Sequence, residues 1–219
     1  MTPPERSSYV YALRFRWLTP FYDALLAATM REGRFKPALV RQADIAHGQR
    51  VLDLGCGTGT LTVLVKRMHP GAEVIGLDGD AEVLARARAK AAAAAVEIRF
   101  ERAFATSLPH AAEDFDRVLS SLLFHHLPHE AKIRSFGEIH RVLRRGGELH
   151  IADFGRPRTI YTRVAFSVVR GLDGFDNTAD NAAGVLPGML RQAGFADVVE
   201  VDAIGTVFGT VVRIAARKA

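Results

Sequence analysis

The feature that most constrains the fold is a glycine-rich segment between a predicted strand and a predicted helix. Residues 50–54 form a short apolar run of strand length, residues 60–68 have a helical pattern, and Gly55, Gly57 and Gly59 lie between them. Glycines let the backbone turn sharply and let a ligand approach closely. The N-terminus of the following helix offers free N–H groups. The segment therefore predicts a ligand site at the carboxyl edge of an open α/β sheet.

Strands alternate with helices along most of the chain. Further strands are predicted over residues 73–78, 96–102, 115–121, 148–153, 197–202 and 207–215, and further helices over 80–94, 130–144, 157–172 and 185–193. Such alternation is typical of parallel strands covered by helices on both faces. We therefore expect an α/β fold, Rossmann-like and doubly wound. Its mostly parallel seven-stranded sheet would end in a C-terminal antiparallel hairpin that turns at Gly205-Thr206.

The length and patterning indicate a single domain. The 219 residues show no internal repeat and no linker, so residues 1–219 are predicted to share one core. Residues 1–46 are expected to form an N-terminal helical cap, and residues 154–190 an insertion that covers a substrate pocket. Within that insertion, residues 173–184 are rich in Gly, Asp and Asn, which favours a loop.

Composition excludes several classes of function. The net charge of +5 comes from Lys and Arg spread along the chain without a basic block, so no nucleic-acid partner is expected. A single cysteine allows no internal disulfide and no Cys/His zinc site. The start of the chain lacks a signal-peptide pattern, and no apolar run is long enough to span a membrane. We expect a cytoplasmic protein.

Two carboxylates narrow the ligand of the glycine segment. Asp53 lies two positions before the first glycine, and Asp78 closes the second predicted strand, where a carboxylate can accept both hydroxyls of a ribose. The glycine spacing is Gly-x-Gly-x-Gly rather than the Gly-x-Gly-x-x-Gly of dinucleotide enzymes. A dinucleotide site and a purely structural turn remain as alternatives at this point.

The sequence resembles a known family in these segments. Residues 51–62 resemble the first motif of the class I S-adenosylmethionine-dependent methyltransferases, and Asp78 resembles their ribose-binding acid. Residues 108–109, 115–118, 123–128 and 143–149 resemble the ubiquinone/menaquinone C-methyltransferase-like branch, also called methyltransferase type 11. The resemblance covers about residues 45–155 well. It implies S-adenosylmethionine as the cofactor and methyl transfer as the reaction.

The resemblance also assigns the cofactor residues, from the methionine end to the adenine end. They are Asp53, Gly55, Cys56, Gly57 and Gly59 for the methionine part; Asp78, Gly79 and Asp80 for the adenosine; Phe104 and Ala105 beside adenine; Ser120 and Leu122 under the methionyl part; and Tyr22, which would close over the cofactor. Phe104 departs from the family pattern. Many members have an Asp there that binds the adenine amino group, and a phenyl ring cannot accept that hydrogen bond.

The candidate catalytic bases are His125 and His126, which directly follow the fourth predicted strand. Histidine exchanges protons near neutral pH, and a methyltransferase needs a base only where the acceptor must lose a proton. The alternative is that each histidine packs at the sheet edge and bonds to backbone. Asp153, at the end of the fifth predicted strand, would orient a substrate or cap the next segment.

No metal site is expected, because Asp173, Asp176 and Asp180 lack the spacing of a calcium loop. The predicted function is methyl transfer to a small hydrophobic or amphipathic acceptor: a quinone-like phenol, a lipid-headgroup amine or a specialised metabolite. The alternative is a non-catalytic S-adenosylmethionine-binding regulatory or partner protein. Aromatic and arginine residues at 9–18 suggest peripheral membrane contact through an N-terminal helix. The chain is expected to be a monomer or homodimer.

Overall fold

The protein is described by a computed structural model, which defines residues 30–219. Seven strands form one sheet in the order β3-β2-β1-β4-β5-β7-β6. They are β1 (Arg50–Leu54), β2 (Glu73–Asp78), β3 (Arg99–Arg102), β4 (Phe115–Ser121), β5 (Leu143–Phe154), β6 (Phe195–Thr206) and β7 (Gly209–Lys218). Strands β1 to β5 pair in parallel, whereas β7 is antiparallel to both β5 and β6. The predicted Rossmann-like, doubly wound fold with a C-terminal hairpin is confirmed.

Seven α-helices in the described part of the chain surround the sheet. They are α1 (Glu32–Gln42), α2 (Thr60–Met68), α3 (Ala81–Ala93), α4 (His129–Val142), α5 (Ile160–Asp173), α6 (Phe175–Ala183) and α7 (Leu186–Gln192), with a short 3₁₀ helix at Phe124–His126. None of these described helices is long and apolar enough to cross a membrane. The order of elements places the ends of β1, β4 and β5 side by side.

The core has two halves because alternate residues of each strand face opposite sides of the sheet. Leu52 and Leu54 of β1 pack with residues of α4 and α7, whereas Val51 packs with residues of α1, α2 and α5. Helix starts follow the local sequence. The Asp80 side chain caps α3 by accepting a hydrogen bond from Glu82 N, and Thr159 and Thr162 form a capping box at α5.

Two predicted connections are wrong. Residues 175–183 form helix α6 instead of a loop, because buried Thr178 and Asn181 anchor this segment by tertiary contacts that override its weak helix propensity. The hairpin turn lies at residues 207–208, with Thr206 paired to Gly209, rather than at Gly205-Thr206. Strand β5 also begins at Leu143 instead of residue 148, and its pairing with β4 is irregular between Phe115 and Arg117.

Candidate active site

The glycine segment bends between β1 and α2 with three glycines in left-handed conformations. Gly55, Gly57 and Gly59 have φ values of 69°, 52° and 75°. A Cβ atom on Gly59 would lie 2.9 Å from Ala87 Cβ, and one on Gly55 would lie 2.8 Å from Leu123 Cδ1. A Cβ on Gly57 would contact nothing within 4 Å. Packing against Ala87 therefore requires glycine at position 59, the positive φ values favour glycine at positions 55 and 57, and Gly57 presents an open face.

Asp78, at the end of β2, is tied to this segment. Its Oδ2 accepts a hydrogen bond of 2.9 Å from Gly57 N, and its Oδ1 accepts one of 3.0 Å from Asp80 N. Burial raises the pKa of this carboxyl, and the backbone hydrogen bonds act in the opposite direction. Arg102 Nε donates to the carbonyl of Gly79 at 3.1 Å. Asp78, the predicted ribose-binding acid, is therefore hydrogen-bonded to the glycine segment.

Asp53 is completely buried near the end of β1. Its Oδ2 accepts a hydrogen bond of 2.6 Å from Thr62 Oγ1 on α2, whereas its Oδ1 has no hydrogen-bond partner in the described structure. Burial raises the pKa of Asp53 to about 6, partly opposed by the Thr62 hydrogen bond and by the positive charge of Lys36. A buried carboxylate oxygen without a donor is costly for a fold unless a ligand provides one.

Two further predicted residues, Ser120 and Leu122, lie where β1, β4 and β5 meet, and a third, Cys56, packs on the β2 side of the turn. Ser120 is buried, and its hydroxyl donates to the carbonyl of Leu54 at 2.9 Å. Leu122 has a φ of 56°, which is unusual for a leucine, and its N–H donates to Ala152 O at 2.9 Å. Cys56 is buried, and burial raises the pKa of its thiol well above the usual value. Its thiol is therefore protonated at neutral pH and unsuited to act as a nucleophile.

The predicted adenine-side residues follow β3. Ala103 N donates to the carbonyl of Asp78 at 3.2 Å, so this segment starts beside the ribose-side acid. Phe104 forms an isolated antiparallel bridge with Ser107, and its side chain is 43% exposed. Ala105 is partly buried against the core. The partly exposed Phe104 therefore lies at the surface, in the segment that starts beside Asp78.

His125 lies in the 3₁₀ helix after β4 and bonds to Asp153 near the end of β5. Both side chains are buried, and His125 Nδ1 is 2.6 Å from Asp153 Oδ1. The same carboxylate accepts hydrogen bonds from Phe124 N at 2.6 Å and Phe154 N at 2.7 Å. Asp153 therefore bonds the histidine as well as the adjacent backbone N–H groups. The backbone contacts correspond to the predicted cap, whereas the predicted contact with a substrate stays a prediction.

The opposite side of His125 faces His126 and a second carboxylate. The two imidazole ring centroids are 3.9 Å apart. His125 Nε2 is 3.7 Å from Asp173 Oδ2, and His126 Nδ1 is 3.5 Å from Asp173 Oδ1. Burial, together with the neighbouring His125, lowers the pKa of His126 well below its usual value. His126 is therefore neutral at neutral pH.

The segment at residues 154–190 approaches the two histidines through Asp173, and its aromatic residues divide into two groups. Phe154 and Phe166 are buried, with ring centroids 4.8 Å apart, and belong to the core. Tyr161 and Phe175 are 62% and 57% exposed. Only the second pair is therefore available to line an apolar wall.

Helix α6 is held against α4 by a buried lysine. Lys132 Nζ donates to Asn177 O at 2.6 Å and to Asp180 Oδ2 at 3.0 Å. His129 Nδ1 is also 3.0 Å from Asp180 Oδ1. Asp180 is thus occupied by structural partners. Among the described residues, Asp176 and Asp180 lie outside any possible group of metal ligands, whereas Asp173 forms one with His125 and His126, whose ligand atoms lie within 4.8 Å of one another.

Two residues of this site were missed by sequence reasoning. Thr62, which bonds Asp53, lies in the first turn of α2 and inside the segment 51–62 that resembles the family motif, but no role was predicted for it. Asn181 is buried, with its Nδ2 2.8 Å from Phe154 O and 3.4 Å from Asp153 Oδ1, and no sequence pattern marks it. Tyr22 and the predicted membrane-contacting run at residues 9–18 lie outside the described residues.

The residues present fit an S-adenosylmethionine molecule. The unpartnered Asp53 oxygen suits a cationic or N–H donor, the open face of Gly57 leaves room for a ligand chain, and Asp78, the predicted ribose-binding acid, lies beside Gly57. The sheet order with an antiparallel β7 between β5 and β6, combined with a ligand turn after β1, defines a class I methyltransferase architecture.

Comparisons with known proteins agree with this class. A family described as a methyltransferase domain matches residues 51–147. A ubiquinone/menaquinone biosynthesis C-methyltransferase, UbiE, of Syntrophotalea carbinolica is 30% identical over 88% of this chain and 89% of its own length. The chain belongs to the S-adenosylmethionine-dependent methyltransferases of this family, and S-adenosylmethionine is its cofactor.

Two more comparisons add detail. A demethylmenaquinone methyltransferase of Thermus thermophilus is 37% identical over 65% of this chain, and the match spans 65% of that protein, just under two thirds. The crystal structure of the S-adenosylmethionine-dependent methyltransferase SibL superposes with a TM-score of 0.66 at 23% identity, covering 90% of this chain and 57% of that one. At that identity the likeness supports the fold alone.

Proposed function

We propose that this methyltransferase acts on a small, largely apolar acceptor with a ring hydroxyl, such as a quinone-like phenol, and that His125 is its general base. The single observation that carries the proposal is the buried His125–Asp153 pair at the ends of β4 and β5. Two relatives are named for quinone methylation, which supports a small-molecule acceptor of this kind.

The base is positioned beside the cofactor turn. Leu123, two residues before His125, packs so closely on Gly55 that a Cβ atom there would clash with it. Ser120 fixes the end of β4 to the end of β1 through its bond to Leu54. A group next to His125 is thus held at the carboxyl edge of the sheet, on the same side as the glycine turn.

When bound, S-adenosylmethionine supplies a methyl group that its sulfonium already activates. The protein has to align the acceptor and remove its proton. Asp153, an acceptor of hydrogen bonds, keeps the His125 proton on Nδ1 and leaves the lone pair on Nε2. The acceptor hydroxyl gives its proton to Nε2, and the resulting imidazolium charge is stabilised by Asp153. A phenolate is nucleophilic at its oxygen and at the neighbouring ring carbon.

We assign the cofactor contacts by the geometry of the described turn. Asp53 and the backbone from Gly55 to Gly59 would hold the methionine end, and Asp78 with Gly79 and Asp80 the ribose and adenosine. Phe104 would offer its exposed ring to adenine, beside Ala105. Ser120 and Leu122 would shape the floor under the methionyl part.

The test is labelled-methyl transfer from S-adenosylmethionine to anaerobic alkylphenols and reduced quinones, with wild type, His125→Gln and the matched control His129→Gln. His129 is 55% exposed and bonds only Asp180. We expect His125→Gln to lower kcat by roughly 10²- to 10³-fold, with S-adenosylmethionine affinity unchanged and the control near wild type. Full turnover by His125→Gln would refute the base, and no labelled product from any phenol would refute the acceptor class.

A further inference from the structure

Asp173, the last residue of α5, presents a half-buried carboxylate to the proposed base. In the described structure the Asp173 carboxylate accepts no hydrogen bond. Its Oδ2 is 3.7 Å from His125 Nε2, and its Oδ1 is 3.5 Å from His126 Nδ1. Asp180, in helix α6, provides a comparison, because its carboxylate forms short contacts with other side chains. It is 3.0 Å from both Lys132 Nζ and His129 Nδ1. Asp173 is therefore near two nitrogens without being closed onto either.

The groups around Asp173 act on its charge in both directions. His126 is kept neutral by burial. Burial raises the pKa of Asp173, the nearby His125 opposes this shift, and Asp153 adds to it. The residue also ends a helix, where a negative charge meets the negative end of the helix dipole. The carboxylate is 23% exposed, so it is open to a hydrogen-bond donor that a ligand brings to His125.

Resting on the proposed function, we propose that Asp173 contacts the acceptor and selects one with two hydroxyls on adjacent carbons. One hydroxyl would bond His125 Nε2 and yield its proton there, and its neighbour would donate to Asp173. Two hydroxyls on adjacent ring carbons are about a hydrogen-bond length apart, which suits carboxylate and imidazole atoms 3.7 Å from each other. Leu172 and Phe175, both exposed beside Asp173, would contact the apolar body of the acceptor.

The test measures binding without turnover. The protein is saturated with S-adenosylhomocysteine and titrated anaerobically, by calorimetry, with 4-butylcatechol and with 4-butylphenol, which differ by one hydroxyl. Asp173→Ala removes the carboxylate, Asp173→Asn keeps its shape, and Asp176→Ala is the matched control, since Asp176 is an exposed acid three residues away.

We expect wild type and Asp176→Ala to bind the catechol about tenfold tighter than the phenol, as a hydrogen bond to a charged group implies. In Asp173→Ala the preference should vanish through loss of catechol affinity, with phenol affinity unchanged, and Asp173→Asn should lie between. Equal affinities in wild type, a preserved preference in Asp173→Ala, or no catechol binding would each overturn the proposal. Because no methyl transfer is measured, an incorrect base assignment would appear in the His125→Gln assay instead.

Discussion

Two completely buried aspartates, Asp53 and Asp153, lie near the ends of β1 and β5, the two strands that flank β4. Their hydrogen-bond partners differ. Asp53 of β1 accepts one side-chain hydrogen bond, from Thr62, and leaves its second oxygen without a donor. Asp153 of β5 uses both oxygens, bonding two backbone N–H groups and His125. Burial raises the pKa of Asp53 to about 6. The fold thus satisfies Asp153 internally and leaves Asp53 incomplete.

This difference separates the two halves of the site. A buried acid with every lone pair occupied positions another residue of the protein, and here that residue is His125. A buried acid with an open lone pair awaits a ligand, and S-adenosylmethionine carries the positive charge that would suit it. The predicted cofactor side of the site therefore leaves one carboxylate oxygen open, whereas the proposed base, His125, is already held by Asp153.

The largest effect that tests this contrast is expected from Asp153→Asn. The Asn side chain would place an N–H₂ group where the carboxylate now accepts hydrogen bonds from backbone N–H groups and from His125. His125 would then lose the acceptor that fixes its proton on Nδ1. We expect kcat to fall by roughly 10²- to 10⁴-fold, with S-adenosylmethionine affinity within a few-fold of wild type. Steady-state kinetics with a calorimetric titration of the cofactor measure both. Asp176→Asn is the control, and a loss confined to cofactor affinity would contradict the contrast.

A smaller effect is expected on the pH dependence of the free energy of unfolding. The raised pKa of Asp53 determines its direction. The carboxyl ionises near its ordinary value of 3.8 in the unfolded chain and near 6 in the fold. Between these values the unfolded chain has lost the proton and the fold keeps it, so stability falls as pH rises from about 4 to 6 and then stays low.

Urea unfolding of ligand-free wild type and Asp53→Asn isolates this effect, since Asn does not titrate. The difference in free energy of unfolding, wild type minus variant, should decrease by about 2–3 kcal/mol between pH 4 and pH 7. A difference that is independent of pH would show that Asp53 is already satisfied in the ligand-free fold.

The contact of Asp78 with the glycine turn could be anticipated from sequence, and the contact of His125 with Asp153 could not. Asp53, the three glycines and Asp78 are close in sequence or lie at successive strand ends, so a local pattern identifies them. His125 and Asp153 were marked as strand-end residues, but their bond joins positions 28 apart in the chain. No local pattern encodes which two strand ends meet.

Residues 154–190, predicted to cover a substrate pocket, show even more strongly that local sequence does not determine tertiary contacts. Gly, Asp and Asn between residues 173 and 184 favour a loop by local propensity, yet Lys132 and two buried side chains, Thr178 and Asn181, hold a helix there. Propensity gives way where tertiary contacts provide the hydrogen bonds. Asp173 was visible in the sequence only as one acid among three, and its approach to the histidines depends on where α5 ends.

A further test uses the open oxygen of Asp53. Since that oxygen has no donor in the ligand-free protein, Asp53→Asn should weaken S-adenosylmethionine binding by about tenfold, the value of one hydrogen bond to a charged group. The kcat at saturating cofactor should change much less. Calorimetric titration and single-turnover rates measure the two quantities. An unchanged dissociation constant would mean that Asp53 serves the turn rather than the ligand.

The smallest effect is expected from Asn181→Ala, which removes the weakest partner of Asp153. The amide nitrogen is 3.4 Å from Asp153 Oδ1, near the limit of a hydrogen bond, and 2.8 Å from Phe154 O. We expect kcat to fall about threefold, as a weak hydrogen bond implies, with cofactor affinity unchanged. Thr178→Val is the matched control, because Thr178 is equally buried in α6 and accepts or donates bonds only to α5 and the α5–α6 junction. Equal losses of kcat in both variants would show that Asn181 acts only by stabilising α6. A loss of kcat confined to Asn181→Ala would show that α6 helps to position Asp153, the partner of the proposed base His125.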